Sequence, residues 1–209
     1  MAEAGQAIIE VRGVSLAYDH YQVLEGMNFS IKPGEIFIIM GGTGSGKSTL
    51  LKSMIGLLPP VKGQILYDGV SFWEIETSEQ ERIMRRFGIL YQSGALWSSM
   101  TLAENVALPL EQNTDLGAEE IRDIVALKLS LVGLGGFENF YPSEISGGMR
   151  KRAGLARAMA LDPDILFFDE FNVPDHEFRA FSIFCESWYV RTKLLGAVNN
   201  FLQTSFMIE

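Results

Sequence analysis

The chain has 209 residues, 47% of them hydrophobic, which is enough apolar material for one folded domain or one domain with a small subdomain. Its formal net charge of −9 argues against nucleic acid as the main partner, because binding a phosphate backbone needs a net or clustered basic surface. The single cysteine, Cys185, excludes an internal disulfide framework, and no apolar run approaches the roughly 20 residues of a membrane-spanning helix.

The first predicted elements are strands with antiparallel-type signals. Residues 8–11 and 14–18 suit a first strand pair, and residues 23–31 suit another strand before a Pro-Gly turn. Tyr18 stands at the end of the first pair. It can stack on an adenine ring or be an ordinary half-buried strand tyrosine, and the sequence leaves both interpretations open.

The next segment matches the phosphate-binding loop pattern G-x-x-x-x-G-K-[S/T]. The apolar run of residues 36–40 precedes it and predicts a strand buried on both faces in a parallel sheet. Apolar residues at helical spacing follow it and predict a helix that runs to the Pro59-Pro60 pair. The residues of the matching segment are Gly41, Gly42, Thr43, Gly44, Ser45, Gly46, Lys47, Ser48 and Thr49.

The residue types of this loop suit the binding of a nucleoside triphosphate. Glycines let several backbone N–H groups approach the phosphates closely, where side chains would block the approach. The helix that begins near Lys47 adds the positive end of its dipole. Lys47 can place its ammonium on the outer phosphates, and the Ser48 hydroxyl can bind Mg²⁺. We therefore expect a nucleoside triphosphate site here.

Three further elements lead to a candidate metal-site residue. Residues 63–69 predict a short strand that ends in an Asp-Gly hairpin turn, and residues 77–86 predict a helix that begins with a capping box. Residues 87–91 predict another buried strand. This strand ends at Gln92, where a parallel sheet presents its ligand-binding edge. Gln92 can reach a metal or a water there, although a glutamine alone is also an ordinary loop residue.

A second helix start suited to anions follows a helical region. Residues 101–132 have helical apolar spacing and predict an inserted helical subdomain. Ser146, Gly147 and Gly148 then open an alanine-rich helix. Serine and glycine at a helix start leave N–H groups available to an anion, so this start suggests the second half of a phosphate site, with an ordinary N-cap as the alternative.

The last motif is an apolar strand that runs into two carboxylates. Residues 165–168 are all apolar, and Asp169 and Glu170 follow them. An acid pair at the end of a buried strand needs a partner, which Mg²⁺ and an attacking water supply. Asp169 would hold the metal directly or through water, and Glu170 would polarise the water.

Taken together, these motifs resemble those of an ATP-binding cassette (ABC) ATPase over residues 8–170. The phosphate loop, Gln92, the Ser146-Gly147-Gly148 start and the acidic strand follow one another in that family's order. Within the superfamily, three segments resemble the ATPase subunit of Mla/Mce-type phospholipid transporters, also called toluene tolerance proteins. They are residues 91–97, 101–110 and 146–153, with the Gly-Ala-Leu-aromatic run and the methionine after Gly-Gly as the most specific details.

The resemblance implies an α/β fold, a P-loop NTPase core of ABC type with an antiparallel β-subdomain and an inserted helical subdomain at about residues 93–160. It implies ATP and Mg²⁺ as ligands, with Lys47, Gln92 and Glu170 catalytic and Ser48, Gln92 and Asp169 on the metal. Two chains would face each other head to tail, each ATP held by one phosphate loop and the partner's Ser146-Gly147-Gly148.

The resemblance also implies partners and a location. The expected partners are a second copy of the chain, a membrane permease and an Mce-type lipid-binding protein, with no nucleic acid. By the resemblance, we expect the chain at the cytoplasmic face of the inner membrane, held there by the permease. The N-terminus shows no secretory signal pattern. The implied cargo is phospholipid.

Residues 171–209 depart from the family. The family continues after the glutamate with a proline and a Ser/Thr-x-Gly-Leu-Asp segment, and later a strand ends in a switch histidine. This chain lacks both, and His176 stands too close to Glu170 to be that histidine. We hypothesise that a frameshift or an early stop replaced the native C-terminal part, which sequencing of the locus tests. We therefore expect weakened nucleotide binding and reduced turnover. Residues 181–185 or 205–208 are the candidates to fill the place of the missing strand.

Two other function classes stay open on the sequence. The first is a soluble ABC ATPase that acts on ribosomes or DNA, although such proteins usually carry tandem cassettes or long coiled-coil insertions. The second is a non-catalytic module in which the altered tail leaves ATP bound but not hydrolysed. Co-purification with a permease, and parallel binding and turnover assays, separate these classes.

Overall fold

The computed structural model describes residues 6–169 and the backbone of residues 204–207. The chain divides into two compact units, Met1–Glu81 with Asp175–Glu209, and Arg82–Pro174. The strands are β1 (Ile9–Tyr18), β2 (Tyr21–Ile31), β3 (Phe37–Met40), β4 (Lys62–Tyr67), β5 (Val70–Ser71), β6 (Phe87–Leu90), β7 (Ile165–Phe168) and β8 (Thr204–Met207). The helices are α1 (Lys47–Met54), α2 (Thr77–Met84), α3 (Leu102–Asn113), α4 (Ala118–Leu131) and α5 (Gly147–Ala158), with 3₁₀ turns at Phe72–Glu74 and Pro142–Glu144.

The first unit contains a four-stranded antiparallel sheet in the order β2-β1-β4-β5. The prediction that residues 8–11 pair with residues 14–18 is wrong, because both segments belong to β1. Gly13 adopts a left-handed φ of 59° within this strand, and the register with β2 shifts between Val11 and Val14. The glycine therefore makes a bulge and not a turn. The predicted Asp-Gly hairpin is confirmed between β4 and β5.

The sheet encloses the core of the first unit together with α1. Leu16, Leu50 and Ile65 are fully buried there. The Tyr67 hydroxyl donates a hydrogen bond to the Met54 carbonyl at 2.5 Å, which ties β4 to the end of α1. Burial raises the pKa of Tyr67, so this hydroxyl stays protonated and remains a donor.

Helix α1 is shorter than its apolar spacing predicted. It ends at Met54, well before the Pro59-Pro60 pair, because Gly56 adopts a left-handed φ of 86°. The Leu57 N–H then donates to the Lys52 carbonyl at 2.8 Å, and the Gly56 N–H donates to the Ser53 carbonyl at 3.5 Å. These two bonds form a Schellman motif, which ends the helix without the prolines. Helix α2 likewise ends at Met84, before the predicted Arg86.

Strand β3 leads directly into the phosphate loop, but it is not buried on both faces as predicted. Ile38 is 43% exposed and Met40 45% exposed on one face, while Phe37 on the other face stacks on Phe29 at 4.8 Å. An apolar run shows that a strand can be buried, but burial itself depends on what packs against it. Among the described strands, β3 pairs with β8 alone.

Strand β8 supplies a parallel neighbour to the strand before the phosphate loop. Its register joins Phe37 to Thr204 and Met40 to Met207. Two tail segments were predicted to fill the place of the missing strand. The second, residues 205–208, overlaps β8 with a shift of one residue, and residues 181–185 fall outside the described residues. The tail thus provides a strand beside β3, at four backbone positions.

The second unit combines a parallel strand pair with three helices. Strands β6 and β7 pair in parallel, with Phe87 opposite Ile165 and Leu90 opposite Phe168. The region predicted to be helical, residues 101–132, folds as α3 and α4, and α5 follows. Gly88 lies so close to the Ala158 carbonyl that a side chain there would collide with it. No helix in residues 6–169 is both long and apolar enough to cross a bilayer.

Candidate functional site

The phosphate loop, residues 41–49, connects β3 to α1 in the first unit. The Lys47 ammonium donates to the carbonyl of Gly41 at 2.7 Å and to that of Gly42 at 2.8 Å, and lies 3.4 Å from the Ser45 hydroxyl. The Ser45 N–H donates to the Gly42 carbonyl at 3.2 Å, which closes the turn. The charge of Lys47 is therefore held over the loop, where a phosphate bound by the loop would lie.

Two glycines of this loop need their left-handed conformations. Gly44 has a φ of 83° and Gly46 a φ of 90°, values that a residue with a Cβ rarely adopts. A Cβ on Gly46 would also lie 2.9 Å from the side chains of Val23 and Leu24 on β2. Gly46 is the N-cap of α1, so Ser48 and Thr49 lie in the first helical turn. The positive end of the helix dipole therefore faces the loop.

Tyr18 lies at the hairpin that joins β1 to β2, and its side chain is 43% exposed. Leu16 pairs with Leu24, whose side chain approaches Gly46, and Tyr18 is two residues further along β1. This spacing corresponds to about 7 Å along the strand. An exposure of 43% fits both a half-buried strand tyrosine and a ring open to a base, so both interpretations stay predictions.

Gln92 and Asp169 lie at the same end of two neighbouring strands in the second unit. The pairing of Leu90 with Phe168 places them just beyond the carboxyl ends of β6 and β7, and the Asp169 N–H donates to the Leu90 carbonyl at 2.9 Å. Gln92 is exposed in the turn that follows β6. Glu170, predicted to polarise the attacking water, lies outside the described residues.

The predicted helix start at Ser146 is present. The Ser146 hydroxyl accepts a hydrogen bond from the Met149 N–H at 3.2 Å, and its carbonyl accepts one from the Arg150 N–H at 2.9 Å. Gly147 and Gly148 are the first two residues of α5, and Ser146 and Gly147 are exposed. The helix therefore begins at the surface with two residues that have no side chain. Such a start can accept an anion from another molecule.

The order of these parts along the chain is that of a known family. The sequence profile of the ABC transporter family matches residues 24–172. The chain belongs to the ABC transporter family. The match contains the phosphate loop, Gln92, the Ser146 start and Asp169, so the resemblance inferred from the sequence is confirmed.

Relatives within the ABC transporter family carry the names expected from the finer resemblance, and another name besides. The chain is 50% identical over 162 residues to the "Probable ribonucleotide transport ATP-binding protein mkl" of Mycobacterium leprae, covering 78% of this chain and 47% of that protein. It is 44% identical over 165 residues to the "Intermembrane phospholipid transport system ATP-binding protein MlaF" of Haemophilus influenzae, covering 79% of this chain and 62% of that protein. The chain thus spans about half to three fifths of the length of these relatives.

The fold is also that of solved ABC cassettes. A dimeric ATP-binding cassette in a post-hydrolysis state, bound to ADP and Pi, superposes with a TM-score of 0.80 at 28% identity. The alignment covers 88% of this chain and 84% of that cassette. The predicted α/β fold of a P-loop NTPase of ABC type is therefore confirmed.

The oxygen donors of the cassette fit Mg²⁺ held together with a nucleotide. Residues 6–169 contain no cluster of three or more His, Cys, Asp or Glu side chains that would hold a metal by itself. Mg²⁺ usually binds one or two protein carboxylates together with waters and substrate phosphates. The carboxylate of Asp169, the amide of Gln92 and the hydroxyl of Ser48 are donors of this kind, and their metal-binding role stays a prediction.

Sequence reasoning missed Asn105, which organises the loop after Gln92. Asn105 is fully buried in α3. Its Oδ1 accepts from the Trp97 N–H at 2.7 Å, and its Nδ2 lies 3.0, 3.1 and 2.9 Å from the carbonyls of Trp97, Met100 and Thr101. One side chain thereby fixes the backbone from residue 97 to residue 101. The sequence did offer one indication of this role, since Asn105 is a polar residue on the apolar side of a predicted helix.

Arg157, also missed, connects α5 to the loop that carries Gln92. Its guanidinium donates to the carbonyl of Ala95 at 2.7 Å and to that of Gly94 at 3.1 Å. The segment of residues 91–96, called the glutamine loop below, therefore rests on the helix that begins at Ser146. No short sequence pattern links residue 157 to residues 94 and 95, which are more than sixty positions away.

Proposed function

We propose that this chain binds and hydrolyses ATP as the motor subunit of an ABC transporter that moves phospholipid through the cell envelope. The observation that carries the nucleotide part is the Lys47 ammonium on the carbonyls of Gly41 and Gly42, above a glycine-rich helix start. Family membership supports the ATPase activity. The 44% identity to MlaF, named for intermembrane phospholipid transport, supports the cargo.

In this proposal the first unit holds the triphosphate. Several backbone N–H groups of the phosphate loop would face the phosphates, Lys47 would neutralise charge on the outer ones, and Tyr18 would stack on the base. Ser48, Gln92 and Asp169 would hold Mg²⁺, and the ion would supply positive charge against the phosphates during transfer of the phosphoryl group to water. Glu170 accepts the proton of the attacking water.

We further propose that ATP joins two copies of the chain. Ser146, Gly147 and Gly148 of one copy would donate N–H groups to the ATP on the phosphate loop of the other copy. The surface position of this helix start supports the arrangement, as does the dimeric state of the similar cassette. Hydrolysis would then separate the copies, and that motion would drive a membrane permease at the cytoplasmic face of the inner membrane, in contact with an Mce-type lipid-binding protein.

The nucleotide part is tested with the purified chain. Binding of Mg-ATP is measured by calorimetry and phosphate release by a coupled assay, for the chain as it stands and for Lys47→Ala. We expect saturable binding and slow hydrolysis, both lost in the variant. Binding without phosphate release would support the non-catalytic alternative, which the divergence of residues 171–209 from the family pattern favours. Failure to bind ATP would contradict the proposal.

The cargo is tested with the chain and its permease in nanodiscs. A fluorescent phospholipid and a labelled ribonucleotide are offered separately, and ATP-dependent movement of each is followed. We expect movement of the phospholipid alone. Movement of the ribonucleotide alone would instead agree with the name of the mycobacterial relative and overturn the cargo assignment.

A further inference from the structure

The glutamine loop contains a backbone conformation that needs support. The Gly94 N–H donates to the Tyr91 carbonyl at 2.8 Å, which closes the turn that presents Gln92. Gly94 and Ala95 then adopt consecutive left-handed φ values of 77° and 46°. Such a value is unfavourable for alanine, because its Cβ crowds the following carbonyl oxygen. A strained conformation persists only where surrounding contacts over-determine it.

Arg157 supplies one of those contacts. Its guanidinium donates separate hydrogen bonds to the carbonyls of the two residues that adopt the left-handed conformation, at 3.1 Å for Gly94 and 2.7 Å for Ala95. Hydrogen bonds from a charged donor are stronger than neutral ones. Burial lowers the pKa of Arg157 and the neighbouring Tyr91 raises it, but a guanidinium keeps its charge in a folded protein.

Direct backbone contact between the loop and α5 is the second support. A Cβ on Gly154 would lie 2.7 Å from the Gly94 Cα and 2.8 Å from the Gly94 carbonyl oxygen. Conversely, a Cβ on Gly94 would lie 2.7 Å from the Arg150 carbonyl oxygen. The loop therefore packs on the helix at a distance that only paired glycines permit. Ser146 caps the same helix, about 16 Å from Arg157 at the usual helical rise.

We propose that Arg157 is a positioning residue that holds the glutamine loop on α5, so that Gln92 and the Ser146 helix start keep one fixed separation. The role in the reaction rests on the proposed function, whereas the attachment of the loop does not. A residue that merely stabilised the unit would affect unfolding without a selective effect on the loop. The two roles are therefore separable by experiment.

The chain offers a matched control on the same helix. Arg152 is also partly buried, and its guanidinium donates to the carbonyls of Val132 and Gly133 at 3.0 and 3.2 Å, away from the glutamine loop. Arg157→Gln, Arg157→Lys and Arg152→Gln are compared with the parent chain. Hydrogen exchange of the amides in residues 91–96 and in residues 132–134 is measured, followed by kcat and KM for Mg-ATP.

We expect Arg157→Gln to speed exchange in the glutamine loop by about tenfold or more, a change in local opening that corresponds to loss of one or two hydrogen bonds. Arg157→Lys should restore part of the protection. Arg152→Gln should speed exchange at residues 132–134 and leave the glutamine loop unchanged. In a chain that hydrolyses ATP, Arg157→Gln should lower kcat by about tenfold while KM changes little, because positioning acts on the transition state.

Unchanged exchange in the glutamine loop of Arg157→Gln would overturn the proposal, as would equal effects of the two glutamine variants on that loop. Faster exchange with an unchanged kcat would overturn the role in the reaction. If the parent chain does not hydrolyse ATP, the proposed function fails, while the exchange comparison still decides whether Arg157 holds the loop.

Discussion

At the scale of single residues, the side chains that matter most here are those that fix backbone. Lys47 binds two carbonyls of its own loop, and Asn105 and Arg157 bind carbonyls of the loop after β6. In each case the contact determines the shape of a loop that contains residues predicted to bind the nucleotide or the metal. Substitution of these residues should therefore alter the loops that they hold.

Lys47→Ala should abolish most nucleotide-dependent activity while leaving the fold intact. Removal of one preorganised donor to a charged transition state typically lowers kcat about 100-fold or more. Lys52→Ala is the control, because Lys52 is an exposed residue in the last turn of the same helix. Titration with a fluorescent ATP analogue and a phosphate-release assay measure the effect. Equal behaviour of the two variants would show that the ammonium has no special role.

Asn105→Ala should destabilise the second unit strongly. It leaves the Trp97 N–H and several carbonyls without their buried partner, and an unsatisfied buried group costs about 1–3 kcal/mol. Asn113→Ala on the same helix is the control, because Asn113 is exposed and makes one hydrogen bond, to the Pro109 carbonyl. Urea unfolding followed by circular dichroism compares them. A loss for Asn105→Ala no larger than that for the control would contradict this assignment.

At the scale of elements, local sequence patterns predicted the loops and helix starts whose conformation depends on neighbouring residues in the chain. The glycine pattern located the phosphate loop, and Ser146 with two glycines located the start of α5. The end of α1 was missed because the left-handed conformation of Gly56 competes with continuation of the helix. The exposure of β3 was missed because an apolar run does not specify what packs against it. Asn105 and Arg157 were missed because their hydrogen bonds depend on tertiary packing.

The Lys128 and Asp162 pair gives a test of how α4 is held to the turn after α5. Lys128 has only 3% of its side chain exposed and lies 2.6 Å from the Asp162 carboxylate, which is 69% exposed. Asp162→Asn should destabilise by about 3 kcal/mol, because it leaves a buried ammonium without a counter-charge, whereas Lys128→Met should be nearly neutral. Asparagine also tolerates the left-handed φ of 49° at this position, so strain does not confuse the comparison. Chemical unfolding with the two variants in parallel measures both, and the reverse order would refute the argument.

Strand β8 gives a second test at this scale. Because β3 leads straight into Gly41 and Gly42, pairing with β8 should steady the carbonyls that Lys47 binds. Alternate residues of a strand direct their N–H groups to one neighbour, so either Ser205→Pro or Phe206→Pro should remove a ladder hydrogen bond. We expect one of the two variants, the one whose N–H is directed to β3, to lose about 1–3 kcal/mol of stability and to bind ATP more weakly. Glu209→Pro, beyond the paired residues, is the control. Thermal melts and nucleotide titrations compare the three variants, and equal results for all of them would contradict the role of the β3–β8 pairing.

At the scale of the whole molecule, the fold of an ABC cassette was predicted from motif order, since the order of its parts is more specific than any single part. The first unit contains the phosphate loop, and the second contains Gln92, Asp169 and the Ser146 start. The proposed dimer explains why the helix start at Ser146 lies at the surface. A glycine helix start in that position can bind a ligand that is held by another chain.

The dimer proposal is tested at Gly147 with two variants whose new side chains differ in charge but have nearly the same shape. Gly147→Asp places a carboxylate where the partner's ATP phosphates would lie, and Gly147→Asn places a neutral side chain of the same size there. A carboxylate in the first turn is favourable for the helix itself, and the Arg150 guanidinium lies 3.7 Å from the position of the new Cβ, so stability should be preserved. We expect ATP-dependent dimerisation, followed by analytical ultracentrifugation, to be lost in Gly147→Asp and only weakened in Gly147→Asn. Dimers that form equally well in both variants would mean that no phosphate approaches this helix start.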